Sequence, residues 1–325
     1  MRKAESAAGA GAGSDKGAGA RSVPPGLGLG CWEFSDIGTG QPRDEESIQT
    51  IRAARDRGIV HFDTAQSYGD GHSESIVGAA LEGVAGAFVA SKSHVTDKQG
   101  AIRTVTTSLK RLRKDSLDLF YIHWPRKGVD LRPMMEGLEE LRSRSVIRLI
   151  GVSNFSVADM ESVSQAGRID VHQLCYNLLW RFPERSVIPY CVAHTISIVT
   201  YSTIAQGLLS DQARSPERFS KGDARAATVY YRPDVWPRVR ESVSAMQRAA
   251  RQAGLPLSTL AIRWVLSRPG ITSVLVGGRS LAQVESNIRA ASSAISSDAE
   301  TRLTALSEEA WRQMPDVGNI FLYYP

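Results

Sequence analysis

Cysteine is scarce in this chain, with three in 325 residues: Cys31, Cys175 and Cys191. Three thiols cannot staple a chain of this length, and no two of them have C-x-x-C spacing. They read as small buried side chains in a protein of a reducing, cytoplasmic setting. No run of 18 apolar residues exists, which removes a spanning helix. Histidines are few and scattered singly, so no metal site is expected. His61 shares a strand face with Asp63 but has no ligand partner at the right spacing, and reads as a packed inner-face residue. Excess charge is also thin. The net charge is +5, of which residues 1–22 hold two units, and nowhere after Ser22 do five basic residues run together. The densest window, Lys110-Arg111-Leu112-Arg113-Lys114, reads as a helix end, where cations complement the macrodipole. No nucleic-acid partner is expected.

What is present begins after a poor start. Alanine and glycine supply 12 of the first 22 residues, without periodicity or a signal-like apolar run, so residues 1–22 are expected to be a disordered tail. A length of 325 allows two average domains or one large barrel. From Val23 onward, short β-branched runs alternate with segments of helical period. Strands are expected at Gly26–Cys31, Ile59–Ala65, Phe88–Ser93, Leu117–Trp124, Ile147–Phe155, Val171–Leu178, Ser197–Ile204 and Ile271–Gly278. Helices are expected at Asp44–Arg57, Ser73–Leu81, Asp97–Lys114, Pro133–Arg144, Ser156–Gln165, Pro183–His194, Trp236–Leu266 with a break near Gly254-Leu255-Pro256, and Ser280–Ala291. Eight strand–helix repeats describe one α/β domain over residues 23–325, a (β/α)8 barrel with a short closing segment.

Gly26-Leu27-Gly28-Leu29-Gly30 tempts one toward an open dinucleotide-binding sheet, but Glu33 stands where the third glycine of that fingerprint belongs. Gly151-Val152-Ser153-Asn154-Phe155 likewise fails the nucleophile elbow at Phe155. In a barrel, reactive groups sit at the C-terminal ends of the strands. Those ends offer Asp63 and then Tyr68, Lys92, His123, and Ser153-Asn154. Neighbouring strands lie ~4.8 Å apart, so these side chains can meet. A lysine ammonium beside a phenol is expected to lower its pKa, with Asp63 orienting the lysine and His123 aiming a substrate oxygen. This is general-acid machinery for an oxygen becoming an alkoxide.

The strings His61-Phe62-Asp63-Thr64-Ala65 to Tyr68-Gly69, Ser91-Lys92, Asp118 to Pro125, Gly151 to Phe155, Tyr176 to Leu179 and Tyr201 to Leu209 closely resemble the signature segments of the aldo-keto reductases. The resemblance implies NADPH-dependent reduction of an aldehyde or ketone, with Tyr68 as general acid and Asp63, Lys92 and His123 completing a tetrad. It also implies that Tyr201 stacks on the nicotinamide and that Ser153, Asn154 and Gln173 hold its carboxamide. Trp32, Asp63, Ser202, Thr203, Ile204, Gln206 and Gly207 line the cofactor. Gly277-Gly278-Arg279 bind its phosphates, and Arg279 on the 2′-phosphate favours NADPH over NADH. Gln283 and Asn287, four apart on one helix face, contact the adenine side. Trp32, Phe34, Tyr68, His94, His123 and Trp124 are expected around the carbonyl, with the aromatic tail Phe321-Leu322-Tyr323-Tyr324 either on that wall or on the outer helices.

The chain departs from the family pattern at Ser93-His94, Ser202-Thr203 and Ser286. Residues 211–235 are expected to fold over the cofactor or substrate. Two other readings keep the barrel: a Schiff-base aldolase or lyase using Lys92, and a non-catalytic NADPH sensor like the potassium-channel β subunits that share this fold. The oligomeric state is left open, with a monomer admissible.

Overall fold

The computed structural model describes residues 23–35, 43–220 and 223–325. The tail expected over residues 1–22 lies outside them. Eight parallel strands close into a barrel in chain order: β1 (Gly26–Gly30), β2 (His61–Asp63), β3 (Phe88–Ser93), β4 (Leu117–Ile122), β5 (Ile147–Ser153), β6 (Val171–Cys175), β7 (Ser197–Tyr201) and β8 (Ile271–Gly277). Around them lie α1 (Asp44–Asp56), α2 (His72–Leu81), α3 (Lys98–Leu112), α4 (Arg132–Ser143), α5 (Val157–Val163), α6 (Val187–Ala193), α7 (Trp236–Gln252), α8 (Leu257–Leu266), α9 (Leu281–Ser292) and α10 (Ser297–Arg312). The barrel closes where β1 pairs with β8, Gly30 standing opposite Gly277.

Period-two alternation explains both the core and the site. Phe88, Ala90, Leu119, Tyr121, Val171 and Val199 belong to a cluster enclosed by the strands, separate from the larger core between strands and helices. Continuing inward by two residues along β3, past the end of β4, and along β6 and β7 brings Lys92, His123, Gln173 and Tyr201 onto the barrel axis, above the apolar layers. Gly151 lies opposite Tyr121, and a Cβ there would stand 2.2 Å from the tyrosine ring. The missing side chain makes room for that ring, the large-against-small packing that fills a barrel.

Helix ends follow the local chemistry. Asp97 caps α3 through the Gly100 amide at 2.7 Å, and Ser156 with Asp159 forms the expected capping box on α5. The basic window 110–114 does end α3, with Arg113 in the left-handed region at φ 53°. The helix expected over Pro183–His194 is split at Ser186 into a 3-10 turn, Phe182–Arg185, and α6. Pro189 has no amide for the Arg185 carbonyl and its ring would clash there, so it is accommodated only in the first turn of a new helix. The closing segment proves to contain α10. Its buried face is Leu303, Ser307 and Ala310, too small and polar to stand out as a hydrophobic stripe. Among the described residues no helix is long and apolar enough to cross a membrane.

Candidate active site

Lys92 is the centre of the cup. It is fully buried, and its Nζ donates to Asp63 Oδ1 at 2.6 Å, to the Thr64 carbonyl at 2.7 Å and to the Tyr68 hydroxyl at 3.4 Å. Burial is the largest influence and pulls the ammonium down in pKa, but the Asp63 carboxylate and Tyr68 together more than offset it, and Lys92 ends above its ordinary value. Asp63 is held from its other side by Gln173, whose Nε2 donates to Oδ2 at 2.9 Å. Tyr68 behaves differently from the sequence expectation. The Lys92 charge lowers its pKa, yet burial is the larger effect and the phenol sits above its ordinary value. His123 packs edge-on to Tyr68 with ring centroids 5.9 Å apart. Burial, with Lys92 and His94 nearby, pushes its imidazole well below the usual histidine range, so it is neutral at neutral pH. His94 stacks on it at 4.4 Å.

Beside this centre, strand-end polar groups pair with one another. The Tyr201 hydroxyl donates to Asn154 Oδ1 at 2.7 Å, and Asn154 Nδ2 donates to Ser153 Oγ at 2.9 Å. Thr203 Oγ1 donates to the Leu275 carbonyl at 3.0 Å, and the Ser202 carbonyl accepts from Asn177 Nδ2 at 3.0 Å. Asn154, Ser202, Ala205 and Gln206 all have positive φ, between 46° and 63°. Such backbone is rare for non-glycine residues and concentrates where loops are shaped for a ligand. Ile204 borders the same turn, and Gly207 completes it at φ 95°.

The C-terminal aromatics lie over the cup. Phe321 and Tyr323 pack edge-on to Trp124 at 6.1 and 5.2 Å, and Phe321 is nearly parallel to Tyr201 at 6.5 Å. Asn319 holds this segment, donating to the Tyr323 carbonyl at 2.6 Å and accepting from the Phe321 amide at 2.9 Å. The Val229 amide bonds the Ile320 carbonyl at 2.8 Å, tying the tail to the long loop. The loop itself is anchored by buried Tyr230, whose hydroxyl accepts from Asn177 Nδ2 at 3.1 Å.

The aldo/keto reductase family model matches residues 26–308. The chain belongs to that family. It is 34% identical over 276 residues to aldo-keto reductase YhdN of Bacillus subtilis, covering 80% of this chain and 82% of the relative. It is 29% identical over 309 residues to the NADH-specific methylglyoxal reductase of Escherichia coli, covering 87% and 94%. A solved aldo-keto reductase of Klebsiella pneumoniae, in complex with NADPH, superposes with a TM-score of 0.70 at 25% identity, covering 91% of this chain and 94% of that one.

As an aldo-keto reductase the chain is an oxidoreductase acting on carbonyls, and its strand ends suit a dinucleotide. A Cβ on Gly278 would stand 3.0 Å from Val284 Cγ2, so a bare backbone leads into α9, whose N-cap Ser280 accepts from the Gln283 amide. Backbone donors and the dipole at such a helix start suit phosphate oxygens. Buried Gln206 Oε1 and His123 Nδ1 have no hydrogen-bond partner among the described residues.

Several expected contacts are engaged elsewhere in the protein. The Gln173 amide group is turned to Asp63. Gln283 Oε1 accepts from the Arg279 amide at 2.8 Å, and Asn287 Nδ2 donates to the Gly277 carbonyl at 3.0 Å, so both shape the loop. Arg279 is paired with Glu33. Phe34 is no pocket wall: it is 1% exposed and sits in the core, because the 3-10 turn Trp32–Phe34 sends successive side chains in different directions and leaves Trp32 and Glu33 half-exposed. The Thr64 carbonyl, Glu33 and Asn319 went unforeseen. Gln173 could have been read as an inner neighbour of Asp63 from its spacing to Val171.

Proposed function

We propose that this reductase uses NADPH to convert a small aldehyde or ketone to the alcohol, with Tyr68 as general acid. The observation that supports this best is the triply bonded Lys92, which presents a fixed positive charge to the Tyr68 oxygen. Arg279 and the backbone from Gly277 into α9 would hold the phosphates, Tyr201 the nicotinamide face, and Ser153, Asn154 and the Gln173 oxygen its carboxamide. When bound, the cofactor supplies a hydride to the carbonyl carbon. The residues supply the proton. At neutral pH Tyr68 is protonated, and neutral His123 can donate one ring N–H to the carbonyl oxygen and hold it beside the phenol. As charge develops on that oxygen, Tyr68 gives up its proton, and the phenolate left behind faces Lys92. A unit-charge attraction across about 4 Å is worth about 4 kcal/mol at an effective dielectric of 20, so the ammonium can offset much of what burial costs the phenolate. Trp32, His94, Trp124 and the C-terminal aromatics form the walls around the carbonyl.

The same geometry weighs against a Schiff-base role for Lys92, since an amine kept protonated by Asp63 is a poor nucleophile. A small-carbonyl panel followed by NADPH absorbance tests the reading. Turnover of at least one aldehyde or ketone is expected. NADPH binding without turnover on every member would instead favour a sensor, and borohydride trapping of substrate on Lys92 without nucleotide would favour a lyase. The NADH-specific relative makes the nucleotide itself a variable to measure.

A further inference from the structure

We propose that Glu33 is a cofactor-selectivity residue, which lowers the preference of this reductase for NADPH over NADH by holding Arg279 with an internal carboxylate. The proposal rests on the reading of Arg279 as the partner of the 2′-phosphate.

Glu33 follows β1 and Arg279 follows β8, the two strands that close the barrel, with Gly30 in register with Gly277. Glu33 reaches over the phosphate-loop backbone to get there. Its Cγ would lie 3.0 Å from a Cβ on Gly277, so glycine at that position leaves the path open. The carboxylate then accepts from Arg279 Nε. Glu33 is 27% exposed and Arg279 50%, so the pair is screened but not free in solvent. A second pair stands close by. Asp223 accepts from Arg225 Nε at 2.9 Å, and the field of Arg279 is felt at Asp223 and that of Glu33 at Arg225. Three separate loops thus assemble two guanidiniums and two carboxylates, a cluster of zero net charge.

The consequence differs for the two nucleotides. A 2′-phosphate carries about −1.5 to −2 at neutral pH by analogy with other phosphate monoesters. It must share Arg279 with a carboxylate already bonded to it and is repelled by that carboxylate. The 2′-hydroxyl of NADH carries no charge and is nearly indifferent to it. Glu33 therefore costs NADPH affinity without a matching cost for NADH.

Dissociation constants of NADPH and NADH, measured by calorimetry on the full chain, test this with Glu33→Gln, Glu33→Asp and Arg279→Ala. Glu33→Gln keeps the side-chain shape and is expected to tighten NADPH about fivefold, with NADH moving less than about twofold. The gain should shrink at high salt. Glu33→Asp retains the charge and should stay near the parent ratio. Equal shifts for both nucleotides, or no change for NADPH, overturn the proposal. Arg279→Ala separates the two levels of the argument. If it leaves NADPH affinity intact, the 2′-phosphate reading itself is wrong. If it weakens NADPH while Glu33→Gln leaves the ratio unchanged, only the role of Glu33 is lost.

Discussion

Replacing Asp63 with asparagine changes one oxygen for one amide, yet it should be among the most destabilising single changes in the barrel. The carboxylate is buried and offers an oxygen to each of two donors, Lys92 Nζ at 2.6 Å and Gln173 Nε2 at 2.9 Å. An asparagine has one oxygen, so Lys92 and Gln173 cannot both donate to it as they do to Asp63, and Gln173 must turn its own oxygen to the new amide. Lys92 also loses the Asp63 charge, its one ion-pair partner among the described residues, and keeps two neutral acceptors, the Thr64 carbonyl and the Tyr68 hydroxyl. Breaking a buried pair from one side costs about 3–5 kcal/mol, and Asp63→Asn should fall in that range in urea unfolding at pH 7.

The pH dependence gives the sharper signature. In the parent, Lys92 is raised above its unfolded value near ~10.4, so its contribution is complete below that pH and is lost as pH climbs through the folded value. In the variant the Asp63 charge is gone, and burial, the largest influence on Lys92, is expected to outweigh what Tyr68 still contributes and carry the lysine below the unfolded value. Folding then excludes a proton, and the penalty fades as pH rises. The stability gap between the two proteins should be widest at neutral pH and narrow above pH ~10. A loss under about 1 kcal/mol, or a gap that stays constant with pH, would refute the assignment of Lys92 as a charge held by Asp63.

Further outcomes follow from the same geometry. Gly151→Ala forces a methyl to within 2.2 Å of the Tyr121 ring and should cost about 1–3 kcal/mol; an unchanged melting temperature would contradict the packing described. Because His123 is held well below the histidine range, the pH–rate profile of reduction should show no inflection near ~6.5 and should fall only in the alkaline range as Tyr68 ionises. A clear break at the ordinary histidine pKa would count against a neutral His123. Asn319→Ala removes that side chain's bonds to the backbone of Phe321, Tyr323 and Pro325, and hydrogen exchange at Phe321 and Tyr323 should accelerate by about tenfold or more, while exchange in β3 and β4 stays slow. Unaltered exchange would mean that ring packing on Trp124 alone fixes the tail.

The barrel was legible because short strand-like runs and period-3.6 segments alternate eight times, and β-branched residues mark the later strands such as Ile147–Ser153 and Ile271–Gly277, although β1 and β2 hold none. The ends were less so. His61–Asp63 is shorter than the run Ile59–Ala65, although pairing continues past it, with the Phe88 amide bonding the Val60 carbonyl and the Thr64 amide the Ala90 carbonyl. The placement of Asp63, Lys92 and His123 at the C-terminal ends of adjacent strands was what foretold their meeting. It could not foretell the balance between burial and charge at Tyr68, because that depends on how tightly neighbouring loops cover the phenol. Nor could it foretell that Glu33 would reach Arg279, 246 residues away. Such contacts join loops whose backbone follows no period, and α10 carries a weak helical signal for a related reason, its buried face being small and partly polar.

The central claim is that Tyr68 delivers the proton while other residues hold the nucleotide. The most direct test is single-turnover reduction of a carbonyl substrate by the NADPH-loaded Tyr68→Phe variant, with the NADPH dissociation constant measured on the same preparation. The account predicts a rate lower by about 10²–10⁴-fold with nucleotide affinity unchanged. A variant that reduces substrate at the parent rate would contradict it.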